Sequence, residues 1–279
     1  MKLHSPVIWY GGKNKMAKHI LPLLPPHRIY VEPFGGGANV LLQKEPSPVE
    51  VYNDIHKGLY SLFYVLRDKD LTIELQRLLT LTMYSRNEFE ACRDWQNETD
   101  ILQKAYKFFV INRQSFGGTN HSWGRIINTS AKGMASTNSK WLGIIDSLPQ
   151  LHERWQRVQV DSLDFKKCIK DYDTPDTLFY LDPPYVLETR SKDKYKHDLV
   201  VEDHEELIDL ILSSKGKFVI SGYNNQLYKK LEDNGYTRRD FEQCCYASGE
   251  GKTNQTKDRD KEQVHENKKR IESVWFKTS

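Results

Sequence analysis

Short apolar runs recur along this chain, and each closes on glycine, proline or an acid, the pattern of buried strands alternating with helices. Arg28-Ile29-Tyr30-Val31-Glu32 predicts a strand, and Pro33 to Leu42, with Gly35-Gly36-Gly37 inside it, predicts a glycine loop opening a helix. Val49-Glu50-Val51-Tyr52 predicts a second strand, which ends in Asn53-Asp54. Further strands are expected at Arg157 to Val160, at Thr177 to Phe179, at Lys217 to Ser221 and at Ser273 to Phe276. Between about Gly58 and Leu148 the apolar spacing turns helical. Ser85-Arg86-Asn87-Glu88 has the capping-box form and opens a helix through Trp95, while Asp100 precedes Ile101, Leu102, Ala105, Phe108 and Phe109. Those aromatics read as core. His204 to Leu212 predicts another helix, and Asn224 can cap a helix that carries Leu227 and Leu231 and stops at Gly235. The organisation is thus α/β over 1–58, helical over 59–148 and α/β again over 149–279, with no internal repeat.

The tips of the expected strands carry the candidate chemistry. Tyr180-Leu181-Asp182-Pro183-Pro184-Tyr185 follows an apolar run. Prolines have no N–H and hold the residue before them extended, so the tip offers a carboxylate, carbonyls without intervening donors, and one aromatic ring. Such a corner suits an amino group on a planar ring. An exocyclic amine on adenine is a poor nucleophile because its lone pair is conjugated with the ring. The Asp182 carboxylate and the Pro183 carbonyl could each accept one amino hydrogen, which frees that lone pair, while Tyr185 stacks on the ring.

Near the start, Val7-Ile8-Trp9-Tyr10-Gly11-Gly12-Lys13 ends in a diglycine, where backbone can approach a ligand closely, beside a lysine that can pair with a carboxylate. It is not a triphosphate loop, because Asn14 stands where Ser or Thr is required and the outer glycine is missing. The glycines at 35 to 37 and the acid Asp54 at the next strand tip reproduce the Rossmann-like way of seating an adenosine. The spacing is not that of a dinucleotide site. The stretch Asn112 to Arg125 mixes Arg, Asn, Gln, Ser and Thr with Phe116, Trp123 and flexible glycines. It reads either as a vocabulary for base edges and phosphates or as a plain polar loop.

Composition narrows the class. With 279 residues, 38% hydrophobic and 28% charged, the chain falls among globular proteins with a sizeable core. No apolar run approaches a bilayer span, and the first residues lack the form of a secretory signal, so a cytoplasmic setting is expected. Cys92, Cys168, Cys244 and Cys245 show neither a disulfide framework nor zinc spacing and are expected reduced; no metal is expected. A net charge of +3 identifies no partner by itself. Arg190, Lys192, Lys194 and Lys196 are well placed to meet phosphates, whereas the mixed charges of 248–270 read as a solvated loop. His197 and His204 read as ordinary loop and helix residues.

Taken in order, Trp9 to Lys13, Glu32 to Gly37, Asn53-Asp54 and Asp182 to Tyr185 resemble the signature motifs of the Dam-type, alpha-group DNA adenine N(6)-methyltransferases. The resemblance covers nearly the whole chain. It implies a Rossmann-like sheet with a reversed final strand, S-adenosyl-L-methionine as cofactor and S-adenosyl-L-homocysteine as product. It also implies methylation of the adenine 6-amino group in double-stranded DNA by base flipping and direct transfer. The 59–148 segment would be an inserted target-recognition domain between the two parts of the catalytic domain. The implied catalytic loop is Asp182, Pro183, Pro184 and Tyr185. Implied cofactor contacts are Trp9, Tyr10, Lys13, Glu32, Pro33, Phe34, Gly35, Asp54, Ile55 and Asp182, with Asp164 and Phe165 bordering the cofactor's adenine and Asp161 a rival for that acid. The implied DNA contacts are Asn112, Arg113, Ser115, Phe116, Asn120, Trp123 and Arg125, where the pattern departs in detail from the better-known members. A restriction-modification setting in a bacterial or phage-infected cell is expected, with no membrane and no obligate protein partner. Two rivals remain: a non-catalytic DNA-binding protein on a decayed methyltransferase fold, against which the intact loop and Asp54 speak, and a methyltransferase acting on RNA or protein amides; the amide-modifying enzymes usually carry Asn in place of Asp182.

Overall fold

The computed structural model describes residues 3–127, 129, 132–185, 199–244 and 269–277. The basic residues at 190–196 and 252–268, together with His197 and Cys245, lie outside them. The chain enters through a short helix, α1 (Ala17–Ile20), and strands β1 (Ile29–Glu32) and β2 (Val49–Asn53). Helices α2 (Lys57–Arg67), α3 (Lys69–Leu81), α4 (Arg86–Ala91), α5 (Ile101–Gln114), α6 (Ser136–Asp146) and α7 (Leu148–Trp155) follow. The alternation resumes with β3 (Val158–Asp161), α8 (Phe165–Tyr172), β4 (Thr177–Leu181), α9 (Val201–Ser213) and β5 (Lys217–Gly222). It ends with α10 (Lys229–Asp233), β6 (Thr237–Cys244) and β7 (Lys269–Phe276).

The strands make a seven-stranded, mostly parallel sheet in the order β3-β2-β1-β4-β5-β7-β6. At its far end β7 runs antiparallel to β6, with Thr237 opposite Phe276. This is the Rossmann-like arrangement expected for a methyltransferase. The chain divides into two compact units: Met1–Asp182 with Ser213–Val219, and Pro183–Leu212 with Ile220–Ser279.

In the first unit, parallel strands covered on both faces read as unbroken apolar runs, and β4 is buried along its whole length. Tyr52 of β2 lies against Phe63 of α2 and Trp155 of α7, with ring centroids 4.6 and 5.2 Å away. Each such ring contributes about 1.5–3 kcal/mol on burial. Glu50 is the charged residue on β2, a fully buried carboxylate that would be very costly unpaired. Arg154 grips it through two bonds of 2.5 and 2.9 Å, and Lys44 adds a third of 2.6 Å. The helix starts follow their caps: Ser85 accepts from the Glu88 N–H and Asp100 from the Gln103 N–H. Phe108 and Phe109 are fully buried, as their spacing predicts. The helix opened by Ser85 ends at Ala91, however, and a separate turn carries Trp95.

A helix after the glycine loop does not form. Ala38 adopts φ 53°, and the Leu41 N–H is taken by the Glu32 carboxylate at 2.8 Å instead of by a carbonyl one turn back. The connection from β1 to β2 is therefore a chain of turns.

In the second unit, Trp275 of β7 stacks on Tyr228 at 4.9 Å, and its indole N–H donates to Glu232 at 3.0 Å. His204 of α9 is fully buried, with Nδ1 3.1 Å from the Tyr228 hydroxyl, so it belongs to the core. Asn225, and not Asn224, accepts from the Tyr228 N–H ahead of α10, and Gly235 follows that helix at φ 86°.

Candidate active site

The site of the first unit is built on the tips of β1, β2 and β4, where parallel strands all end on one side. Parallel pairing of β1 with β4 runs from Ile29 opposite Thr177 to Val31 opposite Phe179. Glu32 closes β1, and Asp182 directly follows β4. Lys13 reaches this edge from the N-terminal segment. Its ammonium is buried, 4% exposed, which demands full satisfaction. It lies 2.8 Å from Asp182 Oδ1 and 2.9 Å from the Gly11 carbonyl, to which it donates. The Gly12 N–H closes the preceding turn on the Trp9 carbonyl at 3.1 Å, with Gly11 at φ 72°, a conformation that glycine adopts without strain.

Glu32 is buried, and its Oε1 accepts from both the Tyr30 hydroxyl and the Leu41 N–H at 2.8 Å. Burial pushes its carboxyl up to about 8, and the negative field of Asp182 adds to that. The Pro33 carbonyl accepts from Asn53 at 2.9 Å. Phe34 is half-buried, with its ring 5.2 Å from that of Phe165. Gly35 has no room for a side chain, because an added Cβ would stand 2.2 Å from the Tyr52 ring. Gly36 takes φ 49° beneath the Trp9 indole, and its carbonyl accepts the Tyr52 hydroxyl at 2.8 Å.

Asp54 is held from both sides. Oδ2 accepts from the Gly36 N–H and Oδ1 from the His56 N–H, each at 2.8 Å. These two backbone bonds fix the orientation of the carboxylate at the second strand tip. Ile55 and Tyr10 are exposed. Of the two rival acids after β3, Asp161 accepts the Tyr172 hydroxyl at 2.8 Å, and Asp164 is an exposed cap accepting from the Lys166 N–H at 2.9 Å.

The stretch from Asn112 to Arg125 divides into interior and exposed residues. Asn112 is fully buried and clamps Ile8, accepting from its N–H at 2.8 Å and donating to its carbonyl at 2.9 Å. Ser115 is buried too, and its hydroxyl accepts from the Asn120 N–H at 3.1 Å. Both shape the loop from inside. Phe116 is 61% exposed and Arg125 is exposed; Asn120 and Trp123 are half-buried. The Arg113 guanidinium donates to the Lys140 carbonyl at 3.3 Å and has no carboxylate beside it among the described residues; burial lowers its pKa to about 10. Gly118, at φ 71°, passes so close to Ile8 that an added Cβ would stand 2.6 Å away.

In the second unit, Tyr185 donates its hydroxyl to Glu272 at 3.0 Å and lies 4.4 Å from the Tyr223 ring. Two neighbours of Asp54 have structural roles that the sequence reading did not assign. Asn53 is fully buried and ties the loop after β1 to Leu163, donating at 3.0 Å and accepting at 2.7 Å. Its place in the Asn53-Asp54 motif at the end of an apolar strand marked the position but not this tether. His56, whose ring lies 5.2 Å from Trp9 and 5.3 Å from Phe108, gave no signal along the chain.

A mostly parallel sheet ending in an antiparallel pair of strands, a glycine loop beneath an indole and an acid at the second strand tip define a Rossmann-like methyltransferase. Sequence comparison carries this further. The profile of the D12 class N6 adenine-specific DNA methyltransferase family matches residues 9–239, and the chain belongs to that family. It is similar to Modification methylase LlaI of Lactococcus lactis subsp. lactis, with 25% identity over 232 residues, covering 78% of this chain and 36% of that protein. It is also similar to Modification methylase StsI of Streptococcus sanguinis, with 24% identity over 205 residues, 68% of this chain and 30% of that protein. The chain thus spans about a third of the length of these relatives. Among the described residues no helix is long and apolar enough to cross a membrane, and no cluster of acids, histidines and cysteines could hold a metal.

Proposed function

We propose that this protein transfers a methyl group from S-adenosyl-L-methionine to the 6-amino group of adenine in double-stranded DNA. The observation that carries the reading is the Asp182 carboxylate, held at the end of β4 by Lys13 and followed by two residues without N–H donors. Supporting it, the loop fits the cofactor: the tightly packed glycines at 35 to 37 admit no side chain beside Tyr52 and Trp9, Phe34 and Phe165 offer an aromatic edge, and Asp54 stands oriented at the second strand tip for a ribose. When bound, S-adenosyl-L-methionine supplies an electrophilic methyl on a sulfonium.

The chain's own residues would do the rest. Base flipping brings the adenine to the strand tip at a cost of a few kcal/mol, partly offset by stacking on Tyr185. Asp182 and the Pro183 carbonyl accept the two amino hydrogens and free the nitrogen lone pair for in-line attack. That nitrogen would take the methyl from the bound cofactor with the sulfur as leaving group, and the surplus proton would pass to solvent. No covalent enzyme intermediate is needed. The 59–148 segment serves as the target-recognition domain. Phe116, Asn120, Trp123 and Arg125 meet the DNA, and Arg113 offers a guanidinium without an internal acid to a phosphate or base edge. Asn112 and Ser115 act by shaping this loop. Both relatives are named modification methylases, and a modification role on cytoplasmic DNA is the corresponding assignment here.

The test is to sequence modified adenines in DNA from cells expressing the chain and, separately, its Asp182→Ala variant. N6-methyladenine at one recurring sequence, lost in the variant while cofactor binding stays measurable, is expected. Unmodified DNA would overturn the reading, and a fully active variant would overturn the role of Asp182.

A further inference from the structure

Tyr185 stands in a stretch without helix or strand pairing, so its local backbone does not fix its ring. What fixes it comes from elsewhere in the second unit. Its hydroxyl donates to Glu272 Oε1 at 3.0 Å, and Glu272 is 9% exposed on β7, next to the fully buried Ser273, Val274 and Trp275. A carboxylate buried beside Ser273, Val274 and Trp275 is costly unless hydrogen-bonded, and a bond to an ionised acceptor is about twice as strong as a neutral one. Tyr223, directly after β5, approaches the same ring at 4.4 Å with the planes inclined by 53°. A tyrosine ring has two torsions. One anchor at its oxygen and one contact against its side restrain both.

We propose that Glu272 is a positioning residue for Tyr185 and that Tyr223 braces the same ring, so that the face offered to an extruded adenine is oriented before DNA arrives. This rests on the methyl-transfer reading. Preorganisation of this kind acts on turnover, because a misplaced stacking surface spoils the attack geometry more than it weakens cofactor binding.

The experiment measures transfer of labelled methyl from S-adenosyl-L-methionine to genomic DNA lacking adenine methylation. It compares the wild type with Glu272→Gln, Glu272→Ala, Tyr185→Phe and the Glu272→Ala/Tyr185→Phe double variant. Glu272→Ala and Tyr185→Phe should each lower kcat by roughly tenfold or more with the cofactor KM unchanged, and Glu272→Gln, which still accepts the bond, should retain most of the turnover. The double variant should be no slower than the slower single one. Multiplying losses, or a wild-type kcat in Tyr185→Phe, would overturn the assignment; the latter decides the matter even if Glu272→Ala does not fold. A wild type that transfers no methyl sinks the methyltransferase reading itself, whereas an active wild type with multiplying losses sinks only the role of Glu272.

Discussion

Replacing Glu32 by Gln should make the protein less sensitive to rising pH. Glu32 sits 2% exposed beneath the glycine loop, and burial, reinforced by the charge of Asp182, raises its carboxyl from 4.5 to about 8 against the opposing pull of its bonds to Tyr30 and Leu41. The unfolded chain loses this proton near 4.5, while the folded chain keeps it to about 8. Below both values the two states bind the proton equally. Between them the unfolded state is favoured progressively, so the contribution of Glu32 to stability is lost as pH rises, by roughly 3–5 kcal/mol across the window. Glutamine is uncharged throughout, and its carbonyl can accept the same two bonds. Urea unfolding of both proteins at about pH 5 and about pH 8.5 measures the effect. Similar stabilities at the lower pH and a variant more stable by about 3–5 kcal/mol at the higher one are expected. A difference that does not grow with pH would refute the idea of a neutral, proton-retaining Glu32.

Two further substitutions probe the loop and its tether. Gly35→Ala drives a methyl to 2.2 Å from the buried Tyr52 ring, which also holds the Gly36 carbonyl. About 1–3 kcal/mol of stability should be lost to overpacking, and calorimetry should find cofactor binding weakened by about tenfold or more; unchanged affinity would separate the loop from the cofactor. Asn112→Ala strips partners from both the N–H and the carbonyl of Ile8. A loss of about 2–4 kcal/mol in denaturant unfolding is expected, and weaker cofactor binding with it, since Trp9 follows Ile8 and covers Gly36; a stable variant with normal binding would contradict the tether.

Much of the fold was legible along the chain because periodicity and capping are local. The strand centres at Val31, Val51, Phe179 and Val219 lie where apolar runs put them, and Ser85 and Asp100 cap helices through backbone N–H groups three residues on. The turns after Gly35 defied the same logic, since a distant side chain, Glu32, took the N–H that a helix needs. The acid tips at Asp54 and Asp182 were likewise visible, because a carboxylate after an apolar strand has a single chain neighbourhood. What those tips touch was not.

The amino-acid order alone determined the kind of sheet, the motifs and the residue types at each strand end, all properties that nearest neighbours decide. Only the tertiary structure decided that Lys13 meets Asp182, that Asn112 turns inward to hold Ile8 across 104 positions, and that Tyr185 leans on Glu272 across 87. A side chain's partner at such separation depends on the packing of several intervening elements, and no periodicity or spacing along the chain encodes which of many acids or amides will arrive there.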